Sequence, residues 1–200
     1  MKKLLLLALL LALLIALPLS LTACNKVVPG NILVLEVEDY GTIVLQLDPE
    51  AAPKTVAHFK QLVADDVLDG ATFYRIVDDF VIQGGLVNND DVPTVKGEFA
   101  GNGVDNPRKH VRGTLSMART DDPDSGSSEF FICLAENGST QYLDGKYAAF
   151  GYVIEGMDVV DAIAEAPTYS YPYHEYASIT IRISDAYILE EYPPATEGEN

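Results

Sequence analysis

Short runs in which apolar and polar residues alternate recur along the chain, and this period of two constrains the fold more than any other feature. Leu33, Leu35 and Val37 alternate with Val34, Glu36 and Glu38, and Ile43, Leu45 and Leu47 alternate with Val44, Gln46 and Asp48. Asp39-Tyr40-Gly41 between them reads as a hairpin turn. Side chains of a strand point alternately to opposite faces, so each run is expected to bury one face. Further strand-like runs are Thr72 to Ile76, Phe80 to Gln83, Gly113 to Ala118, Phe130 to Leu134 and Ala148 to Ile154, with Ile179, Ile181 and Ile183 alternating in an expected last strand. Two segments carry helical spacing instead. Pro53 suits a first turn; Val56, Phe59, Leu62 and Val63 form its stripe, and Asp69-Gly70 is expected to stop it. Gly156 to Ala164 carries Met157, Val160 and Ile163. Many short strands with two helices argue for a mainly β fold, a closed or nearly closed antiparallel barrel capped by helices. The tyrosine-rich stretch from Tyr169 to Tyr176 is read as a surface loop with packed rings.

The leading segment has a different plan. Met1-Lys2-Lys3 is a positive head, Leu4 to Leu17 is unbroken apolar sequence, and small residues precede a cysteine in Leu21-Thr22-Ala23-Cys24. Head, apolar middle and small-residue cleavage site make a secretory signal. Three readings compete: an ordinary signal peptide, a retained transmembrane helix interrupted by Pro18, Ser20 and Thr22, and a bacterial lipobox. The lipobox fits both residue types and position. Leu21 to Cys24 resembles the lipoprotein signal-peptidase pattern, in which the cysteine thiol is joined to diacylglycerol and becomes the new N-terminus. Buried acyl CH₂ groups contribute about 0.8 kcal/mol each, and two or more chains hold a protein stably on a membrane. The expected layout is a signal over 1–23, a tether over 24–30 from lipidated Cys24, one domain over 31–190 and a polar tail over 191–200. The domain would be exported and anchored to the bacterial cell membrane, facing outside the cytoplasm.

Composition narrows the chemistry. A net charge of −17 makes the chain a poor binder of nucleic acid, which needs clustered Lys and Arg. With Cys24 at the cleavage site, only Cys133 remains for the fold, so no internal disulfide framework can form. Cys133 is read as a buried structural thiol. His58, His110 and His174 are not spaced for a metal site. His58 is read as a surface or boundary residue and His110, after Arg108-Lys109, as solvated. Asp121-Asp122-Pro123-Asp124-Ser125-Gly126 fails the spacing of a helix-loop-helix calcium site and is read as a solvated acidic loop. Gly101-Asn102-Gly103 does not continue into a dinucleotide fingerprint, and no serine sits in a nucleophile elbow. Residues alone therefore support neither covalent, metal-assisted nor redox chemistry, and no cofactor or metal is expected.

Two segments point further. One is Phe73-Tyr74-Arg75-Ile76-Val77-Asp78-Asp79-Phe80-Val81-Ile82-Gln83-Gly84-Gly85. The other is Gly113-Thr114-Leu115-Ser116-Met117-Ala118-Arg119, continued by Ser128-Glu129-Phe130-Phe131-Ile132-Cys133 and by Leu143-Asp144-Gly145-Lys146-Tyr147-Ala148-Ala149-Phe150-Gly151. Together these closely resemble the cyclophilin family of peptidyl-prolyl cis-trans isomerases in its bacterial form, in order from about Leu33 to Ile183. The resemblance implies an eight-stranded closed antiparallel barrel with a helix at each end, acting as a monomer on proline-containing polypeptides. It implies that Arg75 is the catalytic arginine, that Phe80, Phe131 and Leu143 line the proline pocket, that Gln83 holds the arginine and the substrate backbone, and that Ala118 lies along the peptide groove. Departures from the family pattern are Val81 for a common Met, Arg119 for Asn, Glu129 for Gln, Tyr142 for Trp and Tyr147 for a pocket His. Glu129 places a negative charge near the groove, with Arg75 as a candidate partner.

These residue types suit bond rotation. An X–Pro bond is a tertiary amide whose cis form is only modestly disfavoured, but rotation breaks amide resonance at a barrier of about 18–20 kcal/mol. Uncatalysed exchange takes about 10–100 s. At the twisted geometry the proline nitrogen recovers its lone pair and accepts a hydrogen bond better than in either planar state. A guanidinium aimed there binds the twisted state selectively and lowers the barrier, while an apolar pocket grips the pyrrolidine ring. Competing readings are a proline-peptide binding module with little turnover, favoured if Glu129 pairs with Arg75, and a structural surface lipoprotein that reuses the barrel.

Overall fold

The computed structural model describes residues 30–85, 91–171, 174–190 and 192. The expected signal over 1–23, lipidated Cys24 with the tether up to residue 29, and the tail apart from Tyr192 lie outside the described residues. Among the described residues there are ten strands: β1 Ile32–Val37, β2 Gly41–Leu47, β3 Thr72–Val77, β4 Val81–Gly85, β5 Thr114–Met117, β6 Phe130–Cys133, β7 Ala149–Glu155, β8 Thr168–Tyr171, β9 His174–Ala177 and β10 Ile183–Leu189. Three α-helices interrupt them among the described residues, α1 Pro53–Ala64, a single turn α2 Gly138–Gln141, and α3 Met157–Ala164, with a 3-10 turn at Ala100–Asn102.

All strand pairs are antiparallel, in the order β10-β1-β2-β7-β5-β6-β4-β3-β9-β8. The first eight strands of that order close on themselves. Phe73 N donates to Ile181 O (2.9 Å), Ile183 N to Ala71 O (2.8 Å) and Gly70 N to Ile183 O (2.8 Å), which stitches β3 to the start of β10. Closure removes the free edges that an open sheet would expose. The expected eight-stranded barrel is thus present, and the hairpin β8–β9 is added beside β3.

The barrel fills with the inward-facing set that the alternation implied. Leu33, Leu35, Ile43, Leu45, Phe73, Ile82, Leu115, Phe130, Ile132 and Phe150 are all fully buried. α1 lays Val56, Phe59, Leu62 and Val63 on this core and packs beside β10. The Phe59 ring meets Phe130 edge-on at 5.5 Å and Phe150 at 4.8 Å. α3 buries Val160 and Ile163 beside β2 and β4.

Three expectations change. α1 ends at Ala64, and Asp66 takes a positive φ of 54° in the turns before Gly70, so the chain leaves the helix earlier than Asp69. The last strand is Ile183–Leu189 rather than 179–183. Ile181 and Ile183 are buried as expected, but Ile179 is 46% exposed. Between Glu36 and Val37 of β1 the register with β10 slips, so that Ser184 falls opposite no residue of β1 and Ser184 and Asp185 both face solvent. This bulge breaks the period of two and hides the strand from pattern reading. The tyrosine-rich stretch is a hairpin rather than a loop, although the packing of rings holds: Tyr169 and Tyr176 stack at 5.7 Å.

Candidate active site

Strand alternation puts a second apolar cluster on the outer wall of the barrel. Because Ile82, Phe130 and Ile132 point into the core, Val81, Gln83, Phe131 and Cys133 of the same strands point outward. Register then sets up one row across four strands. Arg75 of β3 lies opposite Gln83 of β4, Gln83 opposite Phe131 of β6, and Phe131 opposite Ser116 of β5. Directly opposed residues share a face, so the row delivers a cation, an amide and an aromatic ring to one place. Val81, Ala118, Phe131, Cys133 and Leu143 bury one another there, with Phe80 and Tyr147 packed against them.

Nine of the eleven residues expected from sequence line one cavity of about 150 Å³. Arg75 and Gln83 supply its polar side. Phe80, Val81, Phe131, Leu143 and Tyr147 supply apolar walls, and Ala118 and Arg119 complete the lining. Phe131 and Tyr147 meet edge-to-face at 5.7 Å. Arg119 works as a brace. Its Nε and Nη2 donate to Lys146 O and its Nη1 to Thr120 O, while the guanidinium lies 4.6 Å from the Tyr147 ring centre and 5.2 Å from that of Phe99.

Two expected residues stand apart from the lining. Tyr142 is 68% exposed, carries Lys146 Nζ 3.0 Å above its ring, and borders a wider, shallower depression with Asp78, Asp79 and Asn137. This depression adjoins the cavity at Phe80, which lines both. Glu129 makes no ion pair with Arg75 among the described residues. Instead its Oε2 accepts from Tyr74 OH (2.6 Å) and from Gln83 Nε2 (3.2 Å). Gln83 Nε2 also donates to Tyr74 OH, and Gln83 Oε1 accepts from Arg75 Nη1 at 3.2 Å. Arg75 Nε is buried and has no hydrogen-bond partner among the described residues.

Sequence reading passed over two contributors. Tyr74 joins the network because the register of β3 against β4 slips between Phe73 and Arg75, which turns it to the same side as Arg75. Burial, the hydrogen bond to Glu129 and the charge of Glu129 together push its phenol far above the ordinary tyrosine range, so it stays a donor. His110, expected in solvent, is only 1% exposed. Its Nδ1 meets Asp144 Oδ1 and its Nε2 meets Ser116 Oγ, each at 3.0 Å, and its ring stacks on Phe131 at 6.0 Å. Burial holds this imidazole below its ordinary titration range, against an upward pull from Asp144. The motif Gln83-Gly84-Gly85 has a steric reason. A Cβ on Gly85, at φ 123°, would lie 2.4 Å from Ser128 O and 2.7 Å from Glu129 Cα. Only glycine lets the Glu129 segment cross so close to the end of β4.

A closed antiparallel barrel with an arginine, a glutamine and an apolar pocket on its wall is the architecture of proline isomerases, and comparison with known proteins agrees. The family model for cyclophilin type peptidyl-prolyl cis-trans isomerase/CLD matches residues 32–187, and the chain belongs to that family. A peptidyl-prolyl cis-trans isomerase of Acinetobacter baylyi is 39% identical over 147 residues, covering 72% of this chain and 78% of its own length. Peptidyl-prolyl cis-trans isomerase A of Dickeya dadantii is 35% identical over 178 residues, covering 86% and 94%. Among solved structures, a cyclophilin type isomerase of Cryptosporidium parvum superposes with a TM-score of 0.68 at 24% identity, over 82% of this chain and 99% of that one.

Proposed function

We propose that the protein accelerates X–Pro rotation in exported polypeptides, with the 150 Å³ cavity holding the proline ring and Arg75 donating to the twisted imide nitrogen. The observation that carries this reading is the lining of the cavity, where Arg75 and Gln83 form one side and Phe80, Val81, Phe131, Leu143 and Tyr147 the others. Phe131, Val81 and Leu143 place buried apolar side chains there, and a less polar surrounding strengthens any bond Arg75 makes. Gln83 restrains the guanidinium, so less ordering is needed as the transition state forms. No bond to carbon is made or broken, and the protein's task is to bind the half-rotated amide better than the planar one. Removing a preorganised donor of this kind costs about 10²–10³-fold in rate. Arg75→Ala should therefore lose at least about tenfold in kcat/KM in magnetisation-transfer measurements on an X-Pro peptide while the fold persists. Retention of the full rate would refute this role for Arg75.

The alternative of a silent proline-peptide module rested on Glu129 neutralising Arg75, and Glu129 is engaged by Tyr74 and Gln83 instead. Export and anchoring form the second part of the proposal, supported by the Leu21-Thr22-Ala23-Cys24 pattern. A lipid on Cys24 would hold a monomeric domain on the outer side of the cytoplasmic membrane, among newly exported clients. Cys24→Ser should move the protein from the membrane fraction to the soluble fraction, and unchanged partition would refute lipidation.

A further inference from the structure

We propose that Tyr74 and Glu129 are positioning residues that fix which end of the Gln83 carboxamide faces Arg75. The inference rests on the reading of Arg75 as the donor to the imide nitrogen. A glutamine amide has an acceptor oxygen at one end and an NH₂ donor at the other, and rotation by half a turn exchanges them. Arg75 offers only donors, so the flipped amide would set N–H against N–H and lose the restraint on the guanidinium. Something must select the correct end.

The bond pattern supplies that selection. An ionised carboxylate can only accept. Glu129 Oε2 accepts a hydrogen bond from the Tyr74 hydroxyl at 2.6 Å, which leaves the Tyr74 oxygen as an acceptor on its other side. The Gln83 NH₂ then satisfies both neighbours, Tyr74 OH and Glu129 Oε2. The remaining end, Oε1, is left for Arg75 Nη1 at 3.2 Å. One acceptor-only group therefore directs a chain of three bonds, each with a fixed donor and acceptor. A glutamine at 129 could bind in either sense and would leave the direction open.

The backbone is shaped for this chain. Without the register slip in β3, strand alternation would turn Tyr74 away from Arg75. Gly85 allows the Ser128-Glu129 backbone to cross within contact distance, and Ala118 N donates to Glu129 O at 3.0 Å, pinning the residue at the other end. One glycine, a bulge and a backbone hydrogen bond thus converge on the two side chains.

The test uses Tyr74→Phe and Glu129→Gln, which keep shape and remove only the directing groups, with their double variant and Arg75→Ala as reference. The full-length protein is assayed by magnetisation transfer on an X-Pro peptide at several concentrations, so that kcat and KM separate. Each single variant should lower kcat by roughly three- to tenfold, the loss expected for one ordinary hydrogen bond, with KM within about twofold. The double variant should be no slower than about the worse single one, because both act through the same amide. Unchanged or increased kcat in both single variants, with Arg75→Ala still slow, would overturn the positioning role and leave the mechanism intact. Multiplying losses in the double variant would overturn it as well. Full activity in Arg75→Ala would overturn mechanism and inference together.

Discussion

Glu98 offers the sharpest check on how the site is supported from beneath. α1 begins at Pro53, and its N-cap residue Ala52 has no side chain able to cap it. The free helix donors are met instead from 43 and 44 residues away in sequence: Glu98 accepts from Lys54 N (3.1 Å), Thr55 N (2.7 Å) and Thr55 Oγ1 (2.8 Å). Glu98 is 3% exposed and Thr55 is fully buried, so water cannot replace this carboxylate freely. Glu98→Ala removes a cap worth about 1 kcal/mol and strands the Thr55 hydroxyl, a further cost of roughly 1–3 kcal/mol. The sum is about 3 kcal/mol, or roughly 6–12 °C in Tm for a chain of this size. Glu98→Gln keeps one acceptor oxygen and should lose about half as much. The measurement is thermal unfolding followed by circular dichroism. Because Phe99 follows Glu98 and lies against Arg119, the alanine variant should also weaken proline-peptide binding below its Tm. A Tm within about 2 °C of the parent for Glu98→Ala would refute the capping argument.

Two further outcomes follow from buried titratable groups. His110 is held below its ordinary range, so on acidification the unfolded chain takes up a proton near pH 6.5 before the folded chain does, and stability falls as pH drops through that window. Denaturant unfolding between about pH 7.5 and 5.5 should show a larger loss in the parent than in His110→Gln, and equal losses would refute the assignment. Burial, with the charge of Asp144 adding, pushes the Cys133 thiol up to about 12. Native protein treated with iodoacetamide near pH 8 should therefore leave Cys133 unmodified, whereas denatured protein should react; peptide mapping of a labelled native Cys133 would contradict this.

What the sequence disclosed and what it hid divide along a physical line. Residues whose position follows from period two were readable. The core set through Leu33, Ile43 and Ile132 is of this kind, whereas Val81, Gln83 and Phe131, on the outer face of β4 and β6, were named through the family resemblance and not through the alternation. Features that break the period were not readable. The bulge at Ser184 displaced the expected last strand, and the one in β3 concealed Tyr74. Contacts between distant segments were equally opaque. Nothing adjacent to His110 announces Asp144 and Ser116 as partners, and the basic neighbours Arg108 and Lys109 suggested solvent instead. Glu129 was legible as a charge near Arg75, but its destination depended on a tyrosine turned by the bulge. Tyr142, carried over by family resemblance, sits beyond the cavity because the turn following α2 holds it outward, where Lys146 covers it.

Going round the closed ring of strands, β1 lies four places from β6 and three from β4. The polypeptide enters the domain at β1, and Gly30 N is bonded to Glu190 O beside it. Both ends of the domain thus emerge at its back. A domain hitched there, as proposed for Cys24, would turn the proposed site toward open surroundings, where a visiting chain could drape any internal segment across it without first finding an end to thread.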